Sequence, residues 1–307
     1  MRLHLAIEGG ATRTRAGLYD ADRSLLAETE TGPCNPVACG MEAALKLLGS
    51  LAKGFLNAHA DASFTIAGGI SGAARPSFRG EIAESLWRLG AERVLVTDDL
   101  RPVLFANAAT TPAILVVAGT GSSVLAQTKA GEIVLLGGRG AVFSDEGSAY
   151  QIAVSGLRAA AHALDGIGPE TALTRTLPVA ARLRDFADFS AWSATALKHQ
   201  VAALAKVVTT AAVSGDAVAA RCVRDQATML AELVSTALRR FSFPTESPVF
   251  LAGGLFEHCE LYRKEFESAL HARHAGLAPR LAPLRGHRAV AELCVAKTVL
   301  PGVSCAP

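Results

Sequence analysis

The sequence has no long apolar run and no concentration of one charge. No segment reaches the roughly 18 consecutive apolar residues of a membrane span. The 30 Lys and Arg residues are scattered against 28 Asp and Glu, for a net charge of +2, so no basic stripe suggests nucleic-acid binding. Residues 1–10 include Arg2, His4 and Glu8 and therefore lack the apolar region of a secretory signal. We expect a cytoplasmic protein with neither a membrane nor a nucleic-acid partner.

Cysteine motifs are missing as well. No CxxC pair occurs, and only two of the six cysteines are near neighbours in sequence. Neither a zinc site nor a disulfide is expected, and free thiols are predicted throughout. The six positions are Cys34, Cys39, Cys222, Cys259, Cys294 and Cys305.

What the chain does have is the length and composition of a two-domain soluble enzyme. Its 307 residues are 50% hydrophobic and 19% charged, enough to bury about two cores. Apolar periodicity then predicts a βββαβαβ opening. The predicted strands cover residues 3–8, 15–19, 25–29, 64–67 and 94–97, and the predicted helices cover 41–58, 81–89 and 100–109.

A second three-strand meander is predicted at residues 113–118, 123–126 and 133–136, so the opening pattern starts again. The alanine-rich stretch 146–240 predicts four or five helices, broken near residues 166–169 and 215. A strand at 249–251 and helices at 261–272 and 288–299 complete the pattern.

Two glycine-containing loops follow apolar strands and are more than a hundred residues apart. Glycine allows tight turns that direct several N–H groups at an anion, and Thr and Ser hydroxyls add donors. A third turn, Gly253 and Gly254, is placed to approach a nucleotide base or ribose. The candidate phosphate contacts are Gly9, Gly10, Ala11, Thr12 and Thr14 in the first loop and Gly119, Thr120, Gly121 and Ser122 in the second.

An apolar run at residues 94–97 delivers Asp98 and Asp99 at its end, where open α/β sheets place their ligand crevice. Two phosphate loops and a carboxylate together indicate phosphoryl transfer with a nucleotide held between two domains. Either aspartate could instead cap the following helix.

These motifs resemble the actin-like ATPase and sugar-kinase superfamily, and within it the BadF/BadG/BcrA/BcrD-type ATPases and N-acetylglucosamine kinases. The resemblance rests on residues 8–14, 118–123, 137–140 with 144–150, and 251–254, and it covers essentially the whole chain. It implies an α/β fold of duplicated actin-like, ribonuclease H-like domains with a nucleotide cleft between them. It implies a domain at residues 1–109 for sugar and phosphate, with a C-terminal helix 288–307 packed back on it, and a domain at residues 110–287 for the nucleotide. No low-complexity linker separates the two halves of the sequence, so the hinge is expected near residues 108–112.

The resemblance also implies ATP and Mg²⁺ as cofactors. Glu8 would hold Mg²⁺ through water, and a strand-end aspartate would accept the proton of the attacking sugar hydroxyl. We choose Asp99 as this base because its spacing to Leu104 matches the family helix, while Asp98 would contact the sugar.

A further set of residues is implied to bind the sugar: Asn35, Ser71, Gly72, Arg139, Gly140 and Asp145. Arg139 departs from the family, which usually has tryptophan there, and Ser144 stands where glycine is frequent. An arginine offers a permanent charge and a bidentate fork. N-acetylglucosamine is therefore the first expected substrate, with N-acetylmuramic acid or glucosamine as alternatives.

Two other classes compete with a kinase. An ATPase activator of a radical dehydratase would need paired cysteines for an iron–sulfur cluster, and none follows residues 119–123 closely. A sugar sensor without turnover would be favoured by loss of Asp99 or of the loops, and both are present. A homodimer is implied by the resemblance alone.

Overall fold

The structure, a computed structural model, describes residues 1–108, 112–296 and 301–306. These form two compact units, one built from Met1–Thr110 with Ala282–Pro307 and the other from Thr111–Leu281. None of the helices in the described ranges is long and apolar enough to cross a membrane.

The elements follow one another along the chain in three stretches. The first contains β1 (Arg2–Gly9), β2 (Thr14–Tyr19), β3 (Leu25–Thr31), α1 (Pro36–Cys39), α2 (Met41–Ala58), β4 (Ser63–Ile70), α3 (Pro76–Trp87), β5 (Arg93–Thr97) and α4 (Arg101–Asn107). The second contains β6 (Ala113–Ala118), β7 (Ser122–Gln127), β8 (Ile133–Gly137), α5 (Ala149–Leu164), α6 (Leu173–Ala181), α7 (Phe189–Ser193), α8 (Lys198–Ala203), α9 (Ala205–Val213), α10 (Ala217–Arg240), β9 (Val249–Ala252), α11 (Gly254–His258), α12 (Glu260–His271) and β10 (Arg280–Leu281). The third contains α13 (Gly286–Cys294) and β11 (Ser304–Ala306).

The first unit is a mixed sheet covered by helices on both faces. Among the described residues its strand order is β11-β5-β4-β1-β2-β3. β1 pairs in parallel with β4 and β4 in parallel with β5, so the carboxyl ends of these three strands meet at one edge. β2 and β3 extend the sheet antiparallel. This edge is where open α/β sheets bind ligands.

Helix packing in the first unit follows its apolar periodicity. Ala44, Leu48 and Ala52 recur every four residues on α2, and all three are buried in the core on one face of the sheet. On the other face, Val290 and Leu293 of α13 pack against the sheet in a separate cluster. β4 is buried along nearly its whole length because it is covered on both faces.

The second unit repeats this strand arrangement within its own residues. Its order is β10-β9-β6-β7-β8, with β6, β7 and β8 antiparallel and β9 parallel to both β6 and β10. The 24-residue helix α10 is capped at its N-terminus by Asp216, whose carboxylate accepts hydrogen bonds from the backbone of Val218 and Ala219. Its buried face belongs to the core of this unit.

The α/β class expected from the sequence is confirmed, and most strand and helix positions agree. The alanine-rich stretch forms six helices rather than four or five. Two of them, α7 and α8, are short, and alanine-rich periodicity does not mark where one short helix ends and the next begins.

The expected helix over residues 288–307 is wrong in extent. α13 ends at Cys294, and Ser304–Ala306 is instead a strand paired with β5. Pro301 and Gly302, with φ +75°, precede that strand and do not favour helix. Residues 297–300 and 307 of this segment and residues 109–111 of the expected hinge lie outside the described residues.

Candidate active site

Three polar side chains follow the parallel strands of the first unit. Glu8 lies near the end of β1, Ser71 directly after β4, and Asp99 shortly after β5. Ser71 lies close enough to the Asp99 carboxylate to lower its pKa through side-chain hydrogen bonding. The pKa of Asp99 is raised to about 6, chiefly because burial desolvates the carboxylate and also because the charge of Glu8 is near, while the Ser71 hydrogen bond opposes the shift. A carboxylate in this state can accept a proton from a hydroxyl near neutral pH.

Asp98 has different partners from Asp99. Its Oδ1 accepts hydrogen bonds from the backbone N–H groups of Leu100 and Arg101, each at 3.0 Å, and its Oδ2 forms an ion pair with the Arg101 guanidinium. The side chain is buried. These contacts fix the turn that leads into α4. A sugar contact through Asp98 stays a prediction, and it would have to compete with these bonds.

Asn35 and Gly72 lie beside Ser71. The Asn35 Oδ1 accepts hydrogen bonds from the backbone of Val37 and Ala38 at the start of α1, while its Nδ2 donates to the Ser71 Oγ at 3.4 Å. Gly72 has φ +85°, and a Cβ there would overlap the Asn35 side chain. The structure therefore brings Asn35, Ser71, Gly72 and Asp99 into one cluster, and glycine is required for that close approach.

The first glycine loop is the tight turn between β1 and β2. The Gly10 N–H donates to the Arg13 carbonyl at 2.9 Å and closes the turn. Ala11 and Thr12 lie exposed at its tip. Their backbone and the Thr12 hydroxyl are accessible to a ligand, as the phosphate-loop hypothesis requires.

Gly9 and Thr14, at the base of this loop, are buried. A Cβ at Gly9 would overlap the sulfur of Cys34, so packing requires glycine at this position. The Gly9 carbonyl accepts a hydrogen bond from the Ser71 N–H at 2.7 Å, which ties the loop to the cluster around Asp99. The Thr14 side chain has no exposed surface and lies next to Cys34. Because the Thr14 hydroxyl is buried, its position does not favour the predicted phosphate contact.

The second glycine loop connects β6 and β7 in the second unit. The Gly119 N–H donates to the Gly121 carbonyl at 2.8 Å, which leaves Thr120 exposed at the tip. The Ser122 hydroxyl donates to the Glu146 carbonyl at 2.6 Å. Ser122 therefore ties the loop to the segment before α5, and its own phosphate contact would have to come from the backbone.

The third glycine turn lies against the second loop. Gly253 has φ +98°, and a Cβ there would lie 2.5 Å from the carbonyl oxygen of Ala118. Gly254 begins α11 directly behind it. Two of the predicted nucleotide-binding turns therefore touch within the second unit, and the contact itself requires glycine at position 253.

Asp145 lies beside the second loop in a strained conformation. Its φ is +63°, in the left-handed region that non-glycine residues rarely adopt, and its side chain is 4% exposed. The carboxylate forms an ion pair of 2.7 Å with the ammonium of Lys198. A Cβ at Gly121 would lie 3.0 Å from the Asp145 Oδ2. Strain of this kind is concentrated at functional sites.

The residues after Asp145 are held by buried hydrogen bonds. The Gly147 N–H donates to the Gln226 Oε1 at 3.0 Å, and the Tyr262 hydroxyl donates to the Gly147 carbonyl at 2.6 Å. Gly147 has φ +82°, and a Cβ there would lie 2.6 Å from the Cβ of Leu230. α10 and α12 thus fix the backbone that carries Asp145.

Arg139 and Gly140 lie in the loop that follows β8. The Arg139 side chain is exposed, and Gly140 has φ +115°. The loop therefore presents a guanidinium to solvent in the chain segment that leads to Asp145.

Comparison with known proteins decides the family. A family model described as the BadF/BadG/BcrA/BcrD ATPase family matches residues 5–286. The chain belongs to this family. The resemblance inferred from the sequence is confirmed, and membership of an ATPase family implies ATP use.

Three of the similar proteins are described as sugar kinases or candidate sugar kinases. An N-acetylmuramic acid/N-acetylglucosamine kinase of Clostridium acetobutylicum is 26% identical over 281 residues, covering 89% of this chain and 92% of that protein. The crystal structure of a candidate N-acetylglucosamine kinase from Chromobacterium violaceum has a TM-score of 0.78 at 25% identity, covering 96% of this chain and 99% of that one. A ROK family glucokinase from Streptomyces griseus, solved with glucose and AMPPNP, shares the fold with a TM-score of 0.61 at 16% identity, covering 94% of this chain and 97% of that one.

Sequence reasoning about this BadF/BadG/BcrA/BcrD family member missed three neighbours of the predicted residues. Lys198 pairs with Asp145, Tyr262 holds Gly147, and a Cβ at Gly286 would lie 3.1 Å from the Glu8 carboxylate. Only Gly286 carried a local signal, as a glycine two residues before a predicted helix. The other two contacts span 53 and 115 residues of sequence and follow no local pattern.

Proposed function

We propose that this protein transfers the γ-phosphoryl group of ATP to a hydroxyl of an amino sugar, most directly N-acetylglucosamine. The observation that carries the proposal is the cluster at the strand ends of the first unit. There Asp99, with its pKa raised to about 6, lies beside Ser71, whose hydroxyl accepts a hydrogen bond from Asn35. A general base and neutral polar groups are what recognition and activation of a sugar hydroxyl require.

In the proposed reaction, Asp99 is the general base. The sugar hydroxyl donates its proton to the Asp99 carboxylate as its oxygen forms a bond to the γ-phosphorus. The bond between that phosphorus and the bridging oxygen breaks, and ADP leaves with the electron pair. Proton transfer of this kind contributes about 10²- to 10⁴-fold, and positioning and charge stabilisation supply the remainder.

The glycine loops are proposed to hold the phosphates of ATP. The exposed tips, at Ala11 and Thr12 in one loop and Thr120 in the other, offer backbone N–H groups. Gly253 and Gly254 are proposed to accommodate the adenosine. This assigns most of the sugar contacts to the first unit and the nucleotide mainly to the second. Duplicated domains with a nucleotide cleft are part of the same proposal.

Magnesium fits the acidic environment at the end of β1. Within the described ranges no group of three or more His, Cys, Asp or Glu side chains is arranged to hold a metal ion. Mg²⁺ needs only one or two carboxylates, because water and substrate phosphates complete its shell. Glu8 would hold it through water, and its nearby charge already raises the pKa of Asp99. When bound, Mg²⁺ would neutralise part of the negative charge on the phosphates of ATP.

Arg139 and Asp145 are the residues proposed to set sugar specificity. Asp145 would accept hydrogen bonds from sugar hydroxyls, and the exposed guanidinium of Arg139 could bind an anionic substituent. N-acetylmuramic acid carries such a group in its lactyl carboxylate, and the Clostridium acetobutylicum relative is named for both sugars. Glucosamine remains the third alternative. A homodimer, implied by the resemblance, and a cytoplasmic location, expected from the composition, complete the proposal.

The test is ADP release from Mg-ATP with N-acetylglucosamine, N-acetylmuramic acid, glucosamine, N-acetylmannosamine or glucose, beside a control without sugar. A kinase releases ADP only with an accepted sugar. ADP release that does not depend on sugar would instead support an ATPase. No ADP release with any of the sugars would support a sensor.

Substitutions of the two strand-end aspartates test which of them is the general base. Asp99→Asn should lower turnover by orders of magnitude while leaving ATP affinity nearly unchanged. Asp61→Asn, which removes an exposed carboxylate from the same unit, is the matched control and should behave as wild type. If Asp98→Asn alone abolished turnover, the base would be the preceding aspartate.

A further inference from the structure

Lys198, at the start of α8, places an ammonium group against the second glycine loop. Its Nζ lies 2.7 Å from the Asp145 Oδ2 and would lie 3.1 Å from a Cβ at Gly121. The ion pair therefore packs directly over the backbone of Gly121. A Cβ at Gly121 would be so close to both charged groups that the pair would have to shift by a few tenths of an ångström.

The two partners of the pair differ in their exposure to solvent. The Asp145 side chain is 4% exposed, whereas the Lys198 side chain is 45% exposed. A buried carboxylate needs a partner, because leaving it unpaired is costly. The ammonium has three N–H donors, and one of them reaches Asp145. The remaining donors can serve a second anion on the exposed side of the pair.

The backbone that carries Lys198 is anchored while its side chain has room to reorient. Val201 and Ala202 of α8 are buried, and the Gln200 side chain accepts a hydrogen bond from the Leu197 N–H. A lysine on a fixed backbone can move its charge over several ångströms, since its stem has four flexible carbons. Phosphate is the anion expected at an exposed glycine loop in an ATPase family.

We propose that Lys198 binds a phosphate group of ATP at the Gly119–Ser122 turn and that Asp145 holds its ammonium in place for this contact. The inference rests on the proposed function, since it needs ATP at this loop. It adds a cationic phosphate ligand that no local sequence motif marks, and it gives Asp145 a role on the nucleotide side of the reaction.

The test is the affinity for ATP, ADP and adenosine, measured by isothermal titration calorimetry with Mg²⁺ and without sugar. Lys198→Met keeps the length of the side chain and removes its charge. Lys206→Met, which removes an exposed ammonium from the neighbouring helix α9, is the matched control. A lost charge-assisted hydrogen bond should weaken ATP and ADP binding about 10- to 100-fold and leave adenosine unchanged. Lys198→Arg should restore part of the loss.

Several results would overturn the assignment. ATP and ADP affinities in Lys198→Met equal to those in Lys206→Met would do so, as would an equal loss for adenosine. In the ADP-release assay, a change of Lys198→Met confined to the preference for N-acetylmuramic acid over N-acetylglucosamine would mean that Lys198 contacts the sugar instead. If wild type bound no ATP at all, the proposed function itself would fail, whereas ATP binding that is insensitive to Lys198 would refute this inference alone.

A measurement on the wild-type protein covers the case in which Lys198→Met does not fold. Lysine acetylation followed by mass spectrometry compares the labelling of Lys198 and Lys206 with and without Mg-ATP. ATP should protect Lys198 and leave Lys206 unchanged. Equal labelling of Lys198 in both conditions would contradict the phosphate contact.

Discussion

Replacing Asp99 with asparagine should change how the stability of the protein depends on pH. The ordinary pKa of an aspartate here is 3.8, and burial raises that of Asp99 to about 6. Between these two values the unfolded chain has lost the proton while the folded protein keeps it. The free energy of unfolding therefore falls as pH rises from about 4 to about 6 and is then constant with respect to this group.

The magnitude follows from the size of the shift. At 1.36 kcal/mol per pKa unit, ionising Asp99 costs the folded state about 3 kcal/mol in total, and about 2 kcal/mol of this falls between pH 4.5 and pH 7.5. Asp99→Asn removes the titrating group. The difference in unfolding free energy between the variant and wild type should then grow by about 2 kcal/mol over this range, in favour of the variant.

The assay is urea unfolding of wild type, Asp99→Asn and Asp61→Asn at half-unit steps from pH 4.5 to 7.5. Asp61→Asn, which removes an exposed carboxylate from the same unit, is the matched control. A pH-independent difference for Asp99→Asn would refute the reasoning, since it would mean that the carboxylate is not desolvated. The same titration predicts that kcat/KM of wild type for the sugar rises with pH up to about 6.

Three further substitutions test the backbone that supports the site, each by urea unfolding. Gly147→Ala should destabilise by about 2–4 kcal/mol, because its Cβ would lie 2.6 Å from Leu230 at a positive φ; a neutral effect would show that the contact relaxes freely. Tyr262→Phe should cost about 1–3 kcal/mol by leaving the buried Gly147 carbonyl without its hydroxyl partner, and an unchanged midpoint would contradict that bond. Gly253→Ala, whose Cβ would lie 2.5 Å from the Ala118 carbonyl, should cost about 1–3 kcal/mol and weaken ATP binding measured by calorimetry; wild-type ATP affinity would contradict the proposed role of this turn.

Elements with a local pattern were predictable from the sequence. The helix over residues 41–58 and the strand over residues 113–118 have the bounds of α2 and β6, because apolar periodicity and flanking glycine or proline are written into adjacent residues. β11 was not predictable, since three residues become a strand only by pairing with β5. The same holds for the two-residue strand β10.

Some residues of the candidate site were likewise predictable from the sequence, whereas their contacts were not. The sequence shows that Asp98 and Asp99 follow a strand, but it does not distinguish their roles. The conformation of the turn into α4 directs Asp98 to Arg101 and Asp99 toward Ser71. The pairing of Lys198 with Asp145 depends on how α8 packs in the second unit. No spacing rule connects residues that tertiary structure alone brings together.

The most direct test of the central claim is phosphoryl transfer itself. Wild type is incubated with ATP labelled at the γ-phosphate, Mg²⁺ and N-acetylglucosamine or N-acetylmuramic acid, and the products are separated and identified by mass spectrometry. The account predicts a labelled sugar phosphate with wild type and Asp61→Asn, and almost none with Asp99→Asn. Label found only in inorganic phosphate, or undiminished sugar phosphate from Asp99→Asn, would contradict it.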